Sequence, residues 1–323
     1  MTPPVSRALR EPDVFNLLTP FAHTYIPGTM SDMTINLDEE IRIWQDRLFA
    51  RSIRRRRKLK ELSALVGKTL NLQCLEISSG DGIISSGLRS LGGSWKTAVT
   101  AGAAADSLAF STHETVATIE NGILPYEDGA FDRVVIVDAL KGIHDDYEFI
   151  RECHRVLNND GWVIISETRR MPFSLAALLR RLLHLSPVNR GRYRNGYQAG
   201  DLFNLMKDGF DVPETITYSN GLLESAAVIG EFLQQRLFQD SYWMIRQRSE
   251  KDLLYRYRRY NGLSGATYPL QWMLSLPEFL PGHHLLVKSR RRRWRPRLQP
   301  KLIDGRSIAE AAINTKIGTA APF

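Results

Sequence analysis

The feature that most constrains this chain is an alternation of short apolar strands with helical stretches between residues 72 and 166. Leu72–Ile77 reads as a strand, Ser78-Ser79-Gly80-Asp81-Gly82 as a turn, and Ile84, Leu88 and Leu91 as the inner face of a helix stopped by Gly92-Gly93. Trp95–Thr100 and Val116–Ile119 follow as strands. Val134–Val137 is an unbroken β-branched run, as suits a central parallel strand covered on both faces. Asp145–Leu157 then reads as a helix, Asn158-Asn159-Asp160-Gly161 as a turn, and Trp162–Ser166 as a fifth strand. Strands joined by helices imply right-handed crossovers and an α/β, Rossmann-like, doubly wound sheet.

Around this core the chain divides into four parts. Residues 1–37, with Pro3, Pro4, Pro12 and Pro20, read as an irregular arm. A leading basic helix opens at Asp38-Glu39-Glu40, so residues 38–170 form the ligand-binding core. Residues 171–289 complete the fold with a helical, aromatic-rich cap that includes Tyr255, Tyr257, Tyr260, Trp243 and Trp272, and residues 290–323 form a basic, flexible tail. Charge is uneven along these 323 residues: a net +8 gathers in Arg51–Lys60 and Lys288–Arg297. Such blocks suit phosphate, in nucleic acid or on anionic lipid, or are solvated surface. Two isolated cysteines, Cys74 and Cys153, make neither a disulfide framework nor a metal site, which points to a cytoplasmic setting. No apolar run reaches the ~18 residues of a membrane span, but Phe173–Leu185 pairs leucines with arginines as a helix lying on a membrane surface would.

A strand, a glycine turn and a helix form a grip for a nucleotide-like ligand at the carboxyl edge of a sheet. Glu76, an acid just before that turn, would repel a pyrophosphate and favours a cationic ligand. Leu75-Glu76-Ile77-Ser78-Ser79-Gly80-Asp81-Gly82 resembles the cofactor-binding motif of class I methyltransferases. Leu124-Pro125-Tyr126-Glu127-Asp128-Gly129-Ala130-Phe131-Asp132-Arg133-Val134-Val135, and then Glu152 with Arg155-Val156-Leu157 and Gly161, resemble two further blocks of the type 11 (ubiquinone/menaquinone-biosynthesis-like) methyltransferases, in that family's order.

The resemblance implies a seven-stranded, mostly parallel sheet whose last strand is antiparallel, and S-adenosylmethionine as cofactor. It implies that Glu76 orients the methionine amino group, that Ser78, Gly80, Asp81 and Gly82 form the turn around the cofactor, and that Glu120 and Asn121 lie near the adenine. Asp138, ending the fourth strand, would face the methyl-transfer region, and His144 is a candidate general base or a surface histidine at a helix start. Three positions depart from the family. Ser78 stands for the first loop glycine, Ala98-Val99-Thr100-Ala101 lacks the ribose-gripping acid, and Leu140-Lys141-Gly142 stands where "L-E-H" is common. Arg190-Gly191-Arg192-Tyr193-Arg194 could line the substrate side.

The function these observations point to is in-line methyl transfer to a small or lipid-linked acceptor, an anionic one included, with peripheral membrane contact open and no metal. A degenerate scaffold of the same fold is the first alternative. A nucleic-acid methyltransferase using the two basic blocks is the second, although no "[DN]-P-P-[YF]" tetrapeptide follows the fourth strand.

Overall fold

A computed structural model describes residues 37–79, 82–100, 105, 108, 109, 114–185, 193–238, 250–277 and 279–295. Residues 1–36 of the expected arm, most of the expected tail, Gly80, Asp81, Trp243 and Arg190–Arg192 lie outside the described residues.

The leading helix is two helices. α1 (Leu37–Ala50) ends at Arg51, and α2 (Ile53–Val66) restarts at Ser52, whose hydroxyl accepts from the Arg55 N–H. There follow β1 (Gln73–Ser78), α3 (Ile83–Arg89), β2 (Ser94–Thr100), β3 (Val116–Ile119), β4 (Phe131–Val137), α4 (Asp146–Val156) and β5 (Leu157–Thr168). The second half adds α5 (Leu175–Leu182), α6 (Ala199–Met206), β6 (Phe210–Asn220), α7 (Gly221–Phe238), α8 (Glu250–Ser275) and β7 (Gly282–Arg291).

These seven strands lie in the order β3-β2-β1-β4-β5-β7-β6. β1–β5 pair in parallel, and β7 enters antiparallel between β5 and β6. The expected sheet, with one late antiparallel strand, is therefore present. The direction in which successive strands are added reverses between β1 and β4, and ligands of open α/β sheets bind at such a switch point.

Each sheet face has its own core. Leu75, Ile77, Val134 and Ile136 pack with Phe149, Ile150 and Cys153 of α4 and Leu202 and Met206 of α6. Cys74, Val135, Val137 and Ile164 pack with Leu59, Leu62 and Leu65 of α2, Leu88 of α3 and Tyr257 of α8. Each fully buried aliphatic or aromatic side chain contributes roughly 1.5–3 kcal/mol of transfer free energy. The two cysteines lie on opposite faces, and burial pushes the Cys74 thiol up to about 12. A satellite cluster of Ala176, Leu185 and Val228 joins α5 to α7.

Three expectations are corrected. Asn158–Gly161 is no free turn but part of β5: Leu157 pairs with Phe131 and Trp162 with Arg133, so the extra residues crowd opposite Asp132 in an irregular ladder. The basic tail does not begin at 290, since Arg290 and Arg291 belong to β7 and bind Asp160, the Leu157 carbonyl and Asn159. The first basic block is not a solvated face either. Arg54 reaches Glu224, Arg56 the Tyr268 hydroxyl, Arg57 the Ser275 carbonyl, and Lys58 is buried. Arg54, Arg56 and Arg57 thus tie α2 to α7 and α8, and Lys58 reaches Asp138.

Candidate functional site

The carboxyl ends of β1 and β4 lie side by side, with Ser78 paired to Val137. Ser78 is buried at the end of β1. The next residue, Ser79, donates its hydroxyl to the Asp138 carbonyl at 2.8 Å. Gly82 caps α3 in the left-handed region at φ 82°, a conformation that a residue with a side chain adopts only at a cost.

Asp138 is also left-handed, at φ 54°, an uncommon conformation for a non-glycine and one often retained at functional sites. Its backbone N–H donates to the Ser166 carbonyl at 2.9 Å, and its carboxylate is held between the ammonium groups of Lys58 and Lys141. Lys141 also reaches buried Glu167 and the Thr168 hydroxyl, each at 3.3 Å. Burial works against ionisation of Asp138, but Lys141 and Lys58 outweigh it and hold the carboxyl well below the usual range. The same burial pulls Lys58 below the usual lysine range, with Asp138 opposing it.

Glu76 is fully buried, and both its oxygens are occupied. Ser85 donates to Oε1 at 2.5 Å and Arg89 to Oε2 at 3.0 Å. Arg89 in turn holds Glu114 and the Thr97 hydroxyl of β2. These bonds tie β1 to α3 through Glu76. Burial raises its pKa despite Arg89.

Glu120 and Asn121 are exposed on a tight turn after β3, closed by the Ile123 N–H on the Glu120 carbonyl, with Asn121 and Gly122 both left-handed. His144 is exposed, and its ring meets Tyr193 edge-on at 5.2 Å; no described hydrogen bond joins it to the Asp138 cluster. Arg194, expected on the substrate side, instead donates to the Ile143 and His144 carbonyls and pairs with Asp146. At the end of β2, Val99 is buried and offers no group to a ribose.

Sequence reasoning missed a second buried group beside the Asp138 cluster. Glu224 of α7 is bound by Arg54 of α2 at 3.4 Å, Arg180 of α5 at 3.0 Å and His284 of β7 at 3.3 Å. Burial opposes its ionisation, yet Arg54, His284 and Arg180 prevail and hold it well below the usual carboxylate range. One signal for the neighbouring cluster was available, since Lys141 stands at a position where the family often has an acid. A cavity of about 620 Å³ at the junction of α1 and α8, lined in part by Ala50, Gly265 and Tyr268, involves neither buried group.

Residues 75–165, from β1 through most of β5, match the family model described as "Methyltransferase domain", the type 11 set. Over these residues the chain is similar to type 11 methyltransferase domains. S-adenosylmethionine is the methyl donor of such domains, and the match spans the glycine turn and Asp138. No curated protein matches the chain in sequence. Among solved structures, it is similar to geranyl diphosphate C-methyltransferase from Streptomyces coelicolor A3(2), at 11% identity and a TM-score of 0.45 over 74% of this chain and 76% of that one. It is also similar to a SAM-dependent methyltransferase from Aquifex aeolicus, at 14% identity and a TM-score of 0.38 over 56% and 92%. Those likenesses are too distant to bear on the reaction, and the fold rests on the strand order itself.

The groups at this edge fit a cationic cofactor: the Asp138 carboxylate stands beside the Lys58 and Lys141 ammonium groups, and an acid favours a sulfonium brought near it. The ribose end is poorer, because β2 ends without a carboxylate. No helix among the described residues is long and apolar enough to cross a membrane.

Proposed function

We propose that the protein transfers a methyl group from S-adenosylmethionine to a small or lipid-linked acceptor, an anionic one by preference, through in-line displacement. The observation that carries this reading is Asp138, held left-handed between two lysines at the switch point of the sheet and tied by Ser79 to the glycine turn. The turn at Ser78, Gly80, Asp81 and Gly82 would hold the cofactor, with Glu76 fixing α3 behind it and Glu120 and Asn121 on the adenine side. The bound cofactor supplies an electrophilic methyl group on a sulfonium. Asp138 would then stand at the reacting end, and Lys58, Arg54 and Arg180 would favour negative charge on the acceptor. A reaction of this kind gains chiefly from holding the two partners in line, so it does not require a strong acid or base.

Calorimetric titration with S-adenosylmethionine tests the reading. Micromolar binding is expected, weakened by about tenfold or more in Gly82→Val, a loss of at least ~1.4 kcal/mol. If the folded protein took up no ligand at millimolar concentration, the degenerate-scaffold reading would stand in its place. That alternative draws on one specific observation, the buried Val99 where a ribose-binding acid is expected.

Exposed apolar side chains support the lipid-linked form of the acceptor. Phe173 is fully exposed and Phe279 is 88% exposed, with Leu175, Leu178 and Leu182 on α5 and Trp272 and Met273 on α8. Arg169, shortly before α5, donates through Nη1 to the Gly282 carbonyl and through its backbone N–H to the His283 carbonyl, both in β7 after α8. Arg180 and Arg181 stand beside the leucines, a pairing of apolar and basic groups that suits an anionic bilayer. Co-sedimentation with phosphatidylglycerol vesicles, but not with phosphatidylcholine vesicles, is expected and should be lost in Phe173→Asp.

A further inference from the structure

The bend between α1 and α2 leaves a cavity against α8. α1 lies along α8, fixed where Gln45 Nε2 donates to the buried Tyr257 hydroxyl at 3.0 Å and where Glu40 pairs with Arg258. The chain then leaves α1 at Arg51, and the space between that bend and α8 is about 620 Å³, within the ~300–1,000 Å³ usual for small-molecule sites. Its lining is Ala50, Arg51, Gly262, Gly265, Ala266 and Tyr268. Ala50, Arg51, Gly262 and Ala266 are exposed, so the cavity is open to solvent. A side chain at Gly262 would begin in empty space, because no atom beyond its own stretch of helix comes within 4 Å of the Cβ position. Gly265 has a different use. A Cβ there would stand 2.9 Å from Arg51 Nη1, and its absence lets the guanidinium lie against α8.

Hydrogen-bond donors dominate the polar groups of this lining. Only Arg51 and Tyr268 bring polar side-chain atoms to it, and the other four residues are alanine and glycine. Arg51 donates from Nη1 to the Asn261 carbonyl at 3.2 Å and, among the described residues, meets no carboxylate. A guanidinium has five N–H donors and no acceptor, so most of its capacity is open. The Tyr268 hydroxyl already accepts from Arg56 Nη2 at 2.9 Å, which leaves its own hydrogen to give. Arg56 stands over the same ring, its guanidinium carbon 5.8 Å from the centroid, and its buried Nε has no hydrogen-bond partner. A cationic guest would meet repulsion here, and a purely apolar one would cover Arg51 without answering it, which costs free energy. Donors without an acid, set in an apolar hollow, select a negatively charged head on an apolar body.

The geometry points to an amphipathic carboxylic acid as the ligand of this cavity. Its carboxylate accepts from the Arg51 guanidinium and the Tyr268 hydroxyl, and its hydrocarbon part lies against Ala50, Gly262 and Ala266. The site stands apart from the methyl-transfer reading, since none of its lining residues belongs to the Asp138 cluster or to the stretch 75–165 that matches the family model. It is distinct as well from the exposed apolar side chains of Phe173 and α5, none of which lines it.

Calorimetric titration of the full chain with decanoate, kept below the concentration at which it forms micelles, tests the assignment. Decanoate should bind saturably. Decanol, which has the chain without the charge, and inorganic phosphate, which has charge without the chain, should each bind about tenfold more weakly or worse. Gly262→Leu puts a side chain into the cavity at a helical position where leucine is preferred to glycine. It should resist urea at least as well as the wild type and bind decanoate about tenfold more weakly or worse. Arg51→Met should lose the preference for decanoate over decanol. Phe173→Asp should bind decanoate as the wild type does. Absence of decanoate binding, or decanol or phosphate bound as tightly, overturns the assignment. So does undiminished binding in Gly262→Leu, or loss of binding in Phe173→Asp, which would move the ligand to the exposed apolar face. Failure to bind S-adenosylmethionine would strike only at the methyl-transfer reading.

Discussion

Glu76 and Glu224 are both sealed inside the protein and both meet arginine, yet burial prevails at the first and charge at the second. Glu76 faces a single guanidinium, that of Arg89, which is shared with Glu114. Glu224 faces two, brought from separate helices, and a histidine besides. Arg89 does not offset the desolvation of one carboxylate, whereas Arg54, Arg180 and His284 more than offset that of the other. A second difference concerns what is left over. Around Glu76 each oxygen has its donor, and the result is a tie between β1 and α3. Around Glu224 the chain leaves His284 Nδ1 unanswered. The first carboxylate ties one strand to one helix, and the second gathers α2, α5 and β7 onto α7.

Replacing Glu224 with leucine is the strongest way to break this contrast. It strands Arg54 and Arg180 beside apolar surface, and removing one partner of a buried charge cluster costs about 3–5 kcal/mol. Urea unfolding should show that loss. Glu76→Gln should cost less, roughly 1–3 kcal/mol, because the amide oxygen can still accept from Ser85 or Arg89. An equal or larger loss at Glu76 would reverse the assignment of roles.

Acid dependence should separate the two residues by sign. Glu224 has a depressed folded pKa, so its contribution is fully present above the ordinary glutamate value and is lost as pH falls below it toward the folded value. Glu76 has a raised folded pKa, so its burial is least costly in acid, and stability is lost as pH rises from the ordinary value through the folded one. Stability measured against pH should therefore have a shallower acid limb in Glu224→Gln, while Glu76→Gln should lessen the fall on the rising side. Parallel curves for the two variants would refute the distinction.

The sheet was legible because its strands are continuous apolar runs. Val134–Val137 and Val116–Ile119 stand where expected, and the glycine turn and Asp138 lie at the edge that the pattern implied. The site beside them was not legible. Lys58 sits in a run of arginines that reads as solvated surface, and nothing local shows that α2 turns it under the sheet edge. Glu224 is one acid in an apolar helix start and His284 one of two adjacent histidines in a strand; they meet only because β7 inserts between β5 and β6 with α7 packed over it. Their sequence separation of 60 residues hides the pair from any local pattern. Asn158–Gly161 misled in another way, since its turn-forming residues are spent on a ladder irregularity inside β5.

The smallest effect is the control for all the others. Arg151 and Glu148 on α4 are 3.2 Å apart, close to the spacing of Arg180 and Glu224, but their side chains are 61% and 55% exposed. Water already satisfies both groups, so the ion pair competes with hydration and must also restrict two long side chains. Arg151→Ala should change unfolding stability by less than ~1 kcal/mol, and by less still in high salt. A loss approaching that of Glu224→Leu would mean that distance alone sets the strength of these pairs. A negligible one assigns the difference to desolvation and to the number of cations that answer each buried acid.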